Sequence, residues 1–172
     1  MGALLLVPFF LIRFGVLSAL DRGGVKRAAH YPPMEGRERA AYWLYQLSTA
    51  AILLLLLLSR LQLAPLPCLW AGAGLYAAGL TLLLLSVSAF AAPAEGGICQ
   101  TGVYRLSRNP MYLSYFLLFL GCVLLTQSIP LLLCLVVFQL TAHVLILAEE
   151  RWCLQRFGAA YRRYMGRVRR YL

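Results

Sequence analysis

The sequence predicts an all-α integral membrane protein with about five transmembrane helices. Of its 172 residues, 62% are hydrophobic and only 13% are charged, and the mean hydropathy is +0.75. A soluble domain carries about a quarter charged residues, so this chain has too few polar side chains to cover a water-facing surface. The composition also excludes a disordered chain, a collagen-like fibre and a disulfide scaffold.

Five apolar stretches with few charges are long enough to cross a bilayer. They cover residues 2–20, 41–59, 67–92, 111–127 and 130–148. The first lies where a secretory signal would lie, but it lacks a basic start and carries Arg13 in its middle, which favours a membrane helix. The last two stretches form one uncharged run that Gln127-Ser128-Ile129-Pro130 breaks, which predicts a tight helical hairpin.

The tail that follows the fifth stretch has a different pattern. Apolar and aromatic residues recur there at steps of four, three and four, with arginines between them: Phe157, Tyr161, Tyr164 and Val168. This spacing predicts an amphipathic C-terminal helix at the membrane surface. The chain therefore divides into N-terminal membrane helices, residues 1–94, and a region that carries the motifs, residues 95–172.

The net charge of +10 is distributed unevenly along the chain. Five basic residues lie within residues 21–40, two within 93–110 and seven after 148, whereas the loop between the second and third spans has only Arg60. With five spans, this bias predicts a multi-pass inner-membrane protein with an external N-terminus and a cytoplasmic C-terminus. Arg13 is expected to snorkel towards the interface. Because orientation and anionic lipid account for the arginines, nucleic-acid binding is not expected.

Two further patterns predict structure and not a site. Gly72-Ala73-Gly74 at the start of the third span is expected to allow close helix packing. The cysteines and histidines form no C-x-x-C and no metal-ligand spacing, so no metal site is predicted. These residues are Cys68, Cys99, Cys122, Cys134, Cys153, His30 and His143.

A first polar cluster, residues 101–112, immediately precedes and begins the fourth span. Asn109 is predicted to be the N-cap and Pro110 the first helical residue. Such a helix start presents free N–H groups and a positive dipole end, which can hold a carboxylate or a phosphate. The simpler alternative is a well-capped membrane helix flanked by interfacial arginines and tyrosines.

A second polar cluster, Glu149-Glu150, directly follows the fifth span. Since the fourth and fifth spans have similar length, the hairpin brings these carboxylates back to the level of Asn109–Tyr112. Adjacent acids near a helix C-terminus oppose its dipole unless the helix continues or they bind something. The alternative is ion pairing with Arg105, Arg108 or Arg151. Two polar clusters at one membrane depth favour a functional site.

At these residues the chain resembles the isoprenylcysteine carboxyl methyltransferase family, of prokaryotic type, and more distantly the phospholipid N-methyltransferases. The similarity covers about residues 95–172 in order and spacing, whereas residues 1–94 are similar only as membrane helices. The shared elements are Ile98-Cys99-Gln100-Thr101-Gly102-Val103-Tyr104, Arg108-Asn109-Pro110-Met111-Tyr112, Glu149-Glu150, Phe157-Gly158, Tyr161, Tyr164, Val168 and Arg170.

The resemblance implies S-adenosyl-L-methionine as the methyl donor and a lipophilic acceptor that enters from the membrane at its cytoplasmic face. It also implies these cofactor-binding positions: Ile98, Cys99, Tyr104, Arg108, Asn109, Pro110, Met111, Tyr112 and Glu149. Acceptor-side roles, such as taking a proton from an ammonium group, fall to His143 and Glu150. Membrane lipids are expected partners, and no obligate protein partner is evident.

Three positions depart from the family pattern. The family often has His at the positions of Gly96 and Asn109, and Leu145 replaces an arginine that is associated with the acceptor. Loss of that cation favours an amine, a thiol or another lipid head group over a carboxylate. Phospholipid amine N-methylation and thiol S-methylation are therefore alternatives. A non-enzymatic membrane subunit and a sterol-reductase-like oxidoreductase are others, although the sequence shows no dedicated nicotinamide phosphate-binding motif.

Overall fold

The computed structural model describes residues 1–25, 31–34, 36–92 and 97–171, and its regular structure in these ranges is helical. The helices there are α1 (Gly2–Leu20), α2 (Arg37–Leu58), α3 (Leu66–Ala91), α4 (Pro110–Thr126), α5 (Ile129–Phe157) and α6 (Ala159–Arg167). A short 3-10 turn, Gly102–Arg105, precedes α4. The predicted all-α fold is confirmed. Lys26, Arg27, Gly96 and the predicted boundary at residues 94 and 95 lie outside the described residues.

The helices α1, α2, α3 and α5 are long and apolar enough to cross a membrane. The apolar helix α4 has 17 residues, which is at the lower end of the length that a crossing requires. The described helices thus agree with the predicted number of about five spans.

The α4–α5 connection is the tight hairpin that the sequence predicts. Gln127 ends α4 in the left-handed conformation with φ of 49°. Ser128 is the N-cap of α5, and its hydroxyl accepts a hydrogen bond of 3.3 Å from the amide of Leu131. The short polar segment therefore satisfies the backbone at both helix ends.

The long helix α5 continues past the predicted end of the fifth span at residue 148. Glu149 and Glu150 lie inside it, because the helix ends only at Gly158, which has φ of 53°. Of the two alternatives stated for these acids, the structure shows the first: the helix continues beyond them, so they do not oppose its dipole. The predicted amphipathic helix is α6, whose buried tyrosines, Tyr161 and Tyr164, pack against Ile98.

Small residues bring α3 and α4 into close contact, as predicted for Gly72. A Cβ atom added at Gly79 would lie 2.5 Å from the amide nitrogen of Leu118, and one at Gly72 would lie 3.1 Å from the carbonyl oxygen of Gly121. At Gly74 a Cβ atom would meet nothing within 4 Å. The packing contact therefore includes the first glycine of the Gly72-Ala73-Gly74 pattern but not the second.

Hydrogen bonds define the two ends of the helix bundle. At one end, Gln127 Nε2 donates to the carbonyl oxygen of Ala64 over 2.6 Å, which places the α4–α5 turn beside the α2–α3 loop. At the other end, Arg151 of α5 forms an ion pair with Glu38, near the start of α2. The α4–α5 turn and the polar part of α5 thus lie at opposite ends.

Candidate active site

A cavity of about 600 Å³ lies among the helices where the two polar clusters meet. This volume falls in the range of small-molecule sites, and aromatic side chains make up much of its wall. Nine of the predicted site residues line it: Ile98, Cys99, Tyr104, Arg108, Asn109, Met111, Tyr112, Glu149 and Glu150. Pro110 is buried at the start of α4, and neither Pro110 nor His143 is among the lining residues.

Tyr112 and Glu149 connect the first polar cluster to the second. The Tyr112 hydroxyl donates a hydrogen bond of 2.7 Å to Oε1 of Glu149. Tyr112 is in the first turn of α4 and Glu149 is in α5, so the bond crosses between two antiparallel helices. The prediction that the hairpin returns the acids to the level of Asn109–Tyr112 is confirmed.

Glu150 is held by two arginines. Arg108 donates from Nε and Nη2 to Oε1 at 3.1 and 2.8 Å, and Arg170 donates from Nε and Nη2 to Oε2 at 3.1 and 2.8 Å. The hydrogen bond to Glu150 raises the pKa of Arg170. The predicted pairing with Arg108 is confirmed, and the contact with Arg170 adds to it. Guanidinium groups thus occupy both oxygens of Glu150, and its predicted acceptor-side role stays a prediction.

The C-terminal tail lies across the start of α4. The Arg108 amide donates to the carbonyl oxygen of Arg169 over 2.9 Å, and Arg108 Nη1 donates to the carbonyl oxygen of Val168 over 3.1 Å. Asn109 has the N-cap position, but its side chain makes no capping hydrogen bond and donates instead to the Arg170 carbonyl over 3.2 Å. The predicted N-cap position of Asn109 and the helix start at Pro110 are confirmed, but the Asn109 side chain holds the tail and does not cap the helix.

His143 contacts the tail and not the cavity. Its Nδ1 lies 2.6 Å from the hydroxyl of Tyr171, and the two ring centroids are 6.0 Å apart. In this structure His143 contacts the tail, and its predicted role of taking a proton from the acceptor stays a prediction.

The Gly-x-Tyr motif, Gly102-Val103-Tyr104, forms part of the cavity wall and contacts α6. Gly102 has φ of 55°, a conformation that glycine adopts readily, and it begins the turn that buries Tyr104. The Tyr164 hydroxyl donates to the carbonyl oxygen of Tyr104 over 2.7 Å. Burial raises the pKa of both phenols, so each remains a neutral hydrogen-bonding group.

A family model described as phospholipid methyltransferase matches residues 68–160, more than half of the chain. The chain belongs to this family. No curated protein and no solved structure matches it. The match confirms the relationship that the motifs indicated and identifies the chain as a membrane methyltransferase, while the prokaryotic type stays a prediction. The match begins inside α3, whereas the family motifs recognised in the sequence all lie within residues 95–172.

The N-terminal part of this methyltransferase contributes residues that the sequence did not assign to the site, among them Arg13, which was expected to snorkel towards the interface. Arg13 of α1, Tyr31 of the following segment and Tyr45 of α2 all line the cavity. The ring of Tyr45 lies 6.4 Å from that of Tyr112 and 6.5 Å from that of Tyr31, measured between centroids. An arginine inside an apolar span was a signal, because such residues usually face a cavity. Nothing in the sequence distinguished these tyrosines from interfacial ones.

Leu145, at the position where the family has an arginine, is fully buried in the core. It packs among residues of α2, α4 and α5 and is not a lining residue of the cavity. The missing cation therefore leaves no gap in the cavity wall at this position. Within the described residues, the arginines that line the cavity are Arg13 and Arg108.

Proposed function

We propose that this protein is an S-adenosyl-L-methionine-dependent methyltransferase that acts on a lipophilic acceptor at the cytoplasmic face of the membrane. The observation that carries the proposal is the Tyr112–Glu149 hydrogen bond of 2.7 Å at the wall of a cavity of about 600 Å³. Most positions that the family resemblance assigns to the cofactor line the same cavity. Membership of the phospholipid methyltransferase family supports the reaction type.

The residues present suit the proposed donor. A carboxylate such as Glu149 can accept hydrogen bonds from ribose hydroxyls or from an amine. Aromatic rings such as those of Tyr104 and Tyr112 can lie against an adenine or attract a sulfonium. The start of α4 at Pro110 presents backbone N–H groups that can bind a carboxylate. When bound, S-adenosyl-L-methionine supplies an electrophilic methyl group.

The protein's own part in the reaction is to bind, orient and exclude water. Methyl transfer is a direct displacement that requires alignment and desolvation more than it requires a protein nucleophile. The aromatic wall excludes water, while the hydrogen bond between Tyr112 and Glu149 holds two groups of the site in fixed positions. Glu150 and its arginines keep the tail against this site.

An apolar part of the cavity suits the hydrocarbon portion of the acceptor. Phe10, Phe14 and Leu53 line the cavity, and Phe10 and Phe14 are also exposed on the outside of α1. An amphiphile can therefore reach the cavity laterally from lipid, with its head group towards the polar residues.

Among acceptor head groups, an amine fits these surroundings best. The ring of Tyr45 lines the cavity, 6.4 Å from the ring of Tyr112 between centroids, and it favours a positively charged or polarised head group. An acceptor amine would react in its unprotonated form: its nitrogen lone pair would attack the methyl carbon while the carbon–sulfur bond of the donor breaks. The neutral thioether would leave, and the methylated ammonium product would carry the positive charge. A hydrophobic thiol and a prenylcysteine carboxylate are the alternatives that product identification separates.

The charge distribution supports the proposed orientation. Fourteen basic residues lie in the segments that the five-span topology places on one side, and one lies in the opposite α2–α3 loop. Such an excess is typical of the cytoplasmic side. The cavity, next to the basic tail, would then open where a water-soluble donor is available.

The test is incubation of the purified full chain with methyl-labelled S-adenosyl-L-methionine and native lipid extract, followed by identification of the product. We expect a labelled lipid, with little product from Glu149→Gln and normal product from Glu38→Gln, which alters a carboxylate outside the cavity. A non-enzymatic membrane subunit would neither bind the donor nor label a lipid, and it would tolerate Glu149→Gln.

A further inference from the structure

The end of the chain carries a strong positive charge. Residues 151–171 contain seven arginines and neither Asp nor Glu. Arg151 forms an ion pair with Glu38. Arg170 forms one with Glu150. The remaining arginines are exposed, and none of them forms an ion pair with a residue that the structure describes: Arg156, Arg162, Arg163, Arg167 and Arg169. Their surface is therefore complementary to anions that come from outside the chain.

The apolar side of α6 faces the protein. Tyr161 and Tyr164 are buried, and both belong to a cluster that includes Ile98 and Phe157. The Tyr164 hydroxyl also donates to the carbonyl oxygen of Tyr104. The arginines of α6 are exposed. Because the aromatic side of the helix is already covered, a contact with lipid would be made by its arginines.

From Gly158 the tail runs back along α5 towards the membrane. Successive contacts show this direction: Tyr161 packs with Cys153, Arg170 pairs with Glu150, and the Tyr171 hydroxyl lies 2.6 Å from Nδ1 of His143. His143 is about 22 Å from Gly158 by helical rise. It belongs to the predicted fifth span, residues 130–148, so the tail returns to the boundary between lipid and water.

This course brings exposed arginines to the depth of the lipid head groups. Glu150 lies about 3 Å beyond the predicted end of the span by helical rise, and its partner Arg170 is at that depth. Arg167 and Arg169 closely precede Arg170 in the chain, and both are exposed. Arginine side chains are long enough to reach head groups from such a position. In the proposed orientation the tail meets the cytoplasmic leaflet, which carries anionic lipid.

We propose that the returning tail is a docking surface for anionic phospholipid head groups, which bind Arg167 and Arg169 and hold α6 against the cavity. Guanidinium groups bind phosphate oxygens through paired N–H donors. Tyr161 and Tyr164 line the cavity, so lipid that keeps the tail in place also keeps this part of the cavity wall closed. The docking surface lies outside the cavity and does not depend on the reaction that the cavity supports.

The test is hydrogen exchange of the tail amides in the purified full chain. The protein is placed in nanodiscs of phosphatidylcholine alone or of phosphatidylcholine with phosphatidylglycerol. Exchange of residues 159–171 should slow in the anionic discs, by about fivefold for each arginine that contacts lipid. In these discs Arg167→Gln/Arg169→Gln should exchange about twenty- to thirtyfold faster than the wild-type protein. In the neutral discs the two proteins should exchange equally.

The matched control is Arg37→Gln/Arg39→Gln, which removes the same charge from two exposed arginines at the start of α2. Its tail should exchange as slowly as that of the wild-type protein in anionic discs. Arg167→Lys/Arg169→Lys should keep most of the protection, because the charge remains. If the Gln variant does not fold, the wild-type protein decides, since added salt should remove the difference between the two kinds of disc.

Other outcomes overturn the proposal. Equal exchange of the wild-type tail in neutral and anionic discs would show that anionic lipid does not dock there. An equal loss of protection in the α2 control would assign the effect to the overall charge of the protein. If inorganic phosphate slows exchange in neutral discs as much as phosphatidylglycerol does, the arginines bind free anions and not a lipid surface.

Discussion

The hydroxyl of Tyr112 donates a hydrogen bond of 2.7 Å to Oε1 of Glu149, and this bond links the first turn of α4 to α5. The two residues are 37 positions apart in the sequence, and the α4–α5 hairpin brings them together. Because both line the cavity, each side chain orients the other at the place where a ligand would bind. The pair is therefore the most direct target for mutation.

Replacing Glu149 by Gln should weaken S-adenosyl-L-methionine binding while the protein still inserts and folds. Loss of a charge-assisted hydrogen bond is expected to cost about 1.5–3 kcal/mol, roughly ten- to a hundredfold in affinity. Tyr112→Phe should have a smaller effect, because it leaves the carboxylate in place. Calorimetry on the purified variants measures both effects.

Glu38→Gln is the control for this measurement, since Glu38 pairs with Arg151 and is not a lining residue of the cavity. Its affinity for the donor should equal that of the wild-type protein. An unchanged affinity in Glu149→Gln would remove this residue from the cofactor site.

Glu150→Gln should release the C-terminal tail. The carboxylate of Glu150 neutralises Arg108, whose side chain is only 8% exposed, and removal of one partner of a buried ion pair typically costs about 3–5 kcal/mol. Denaturation should show the loss of stability, and trypsin should cleave more rapidly after Arg167 and Arg169. Glu38→Gln, at a more exposed pair, should cost less than about 1 kcal/mol. A tail that stays resistant to trypsin would mean that its backbone hydrogen bonds are sufficient.

The helices and the hairpin follow from local signals in the sequence. Ser128 and Pro130 are good helix-start residues, and the apolar runs have the length of a bilayer crossing. The end of α5 does not follow from these local signals. Hydropathy falls at Glu149, but the backbone remains helical to Phe157. Charge marks where lipid contact ends, and the α5 helix ends only at Gly158.

Part of the candidate site could also be predicted from the sequence, since the motif residues and helical rise placed Tyr112 near Glu149. The contacts of the C-terminal tail with Arg108 and Glu150 could not be predicted from the sequence. Seven arginines follow residue 148, and only tertiary packing selects Arg170 as the partner of Glu150. Arg13 was visible as a charge in an apolar span, but its position in the cavity depends on how α1 packs against α4.

Gly79→Ala should destabilise the contact between α3 and α4. The added Cβ would lie 2.5 Å from the backbone nitrogen of Leu118, so the two helices must move apart, at a cost of about 1–3 kcal/mol. Gly74→Ala is the matched control on the same helix, because its Cβ would meet nothing within 4 Å. Thermal unfolding in detergent compares the variants. Equal midpoints for the two would show that this helix contact does not limit stability.

The topology can be tested with reporters at two positions. A reporter fused after Leu172 should be cytoplasmic and one inserted at Leu63 should be external, because the positive charges divide fourteen to one between the two sides and such an excess is typical of the cytoplasmic side. The experiment also decides whether the 17-residue helix α4 crosses the membrane. The hydrogen bond from Gln127 to Ala64 places the α4–α5 turn beside the α2–α3 loop, so α3 begins and α4 ends at the same end of the bundle. Three crossings between the reporters put them on opposite sides, whereas failure of α4 to cross would put both on one side. A cytoplasmic signal from position 63 would contradict the five-span topology.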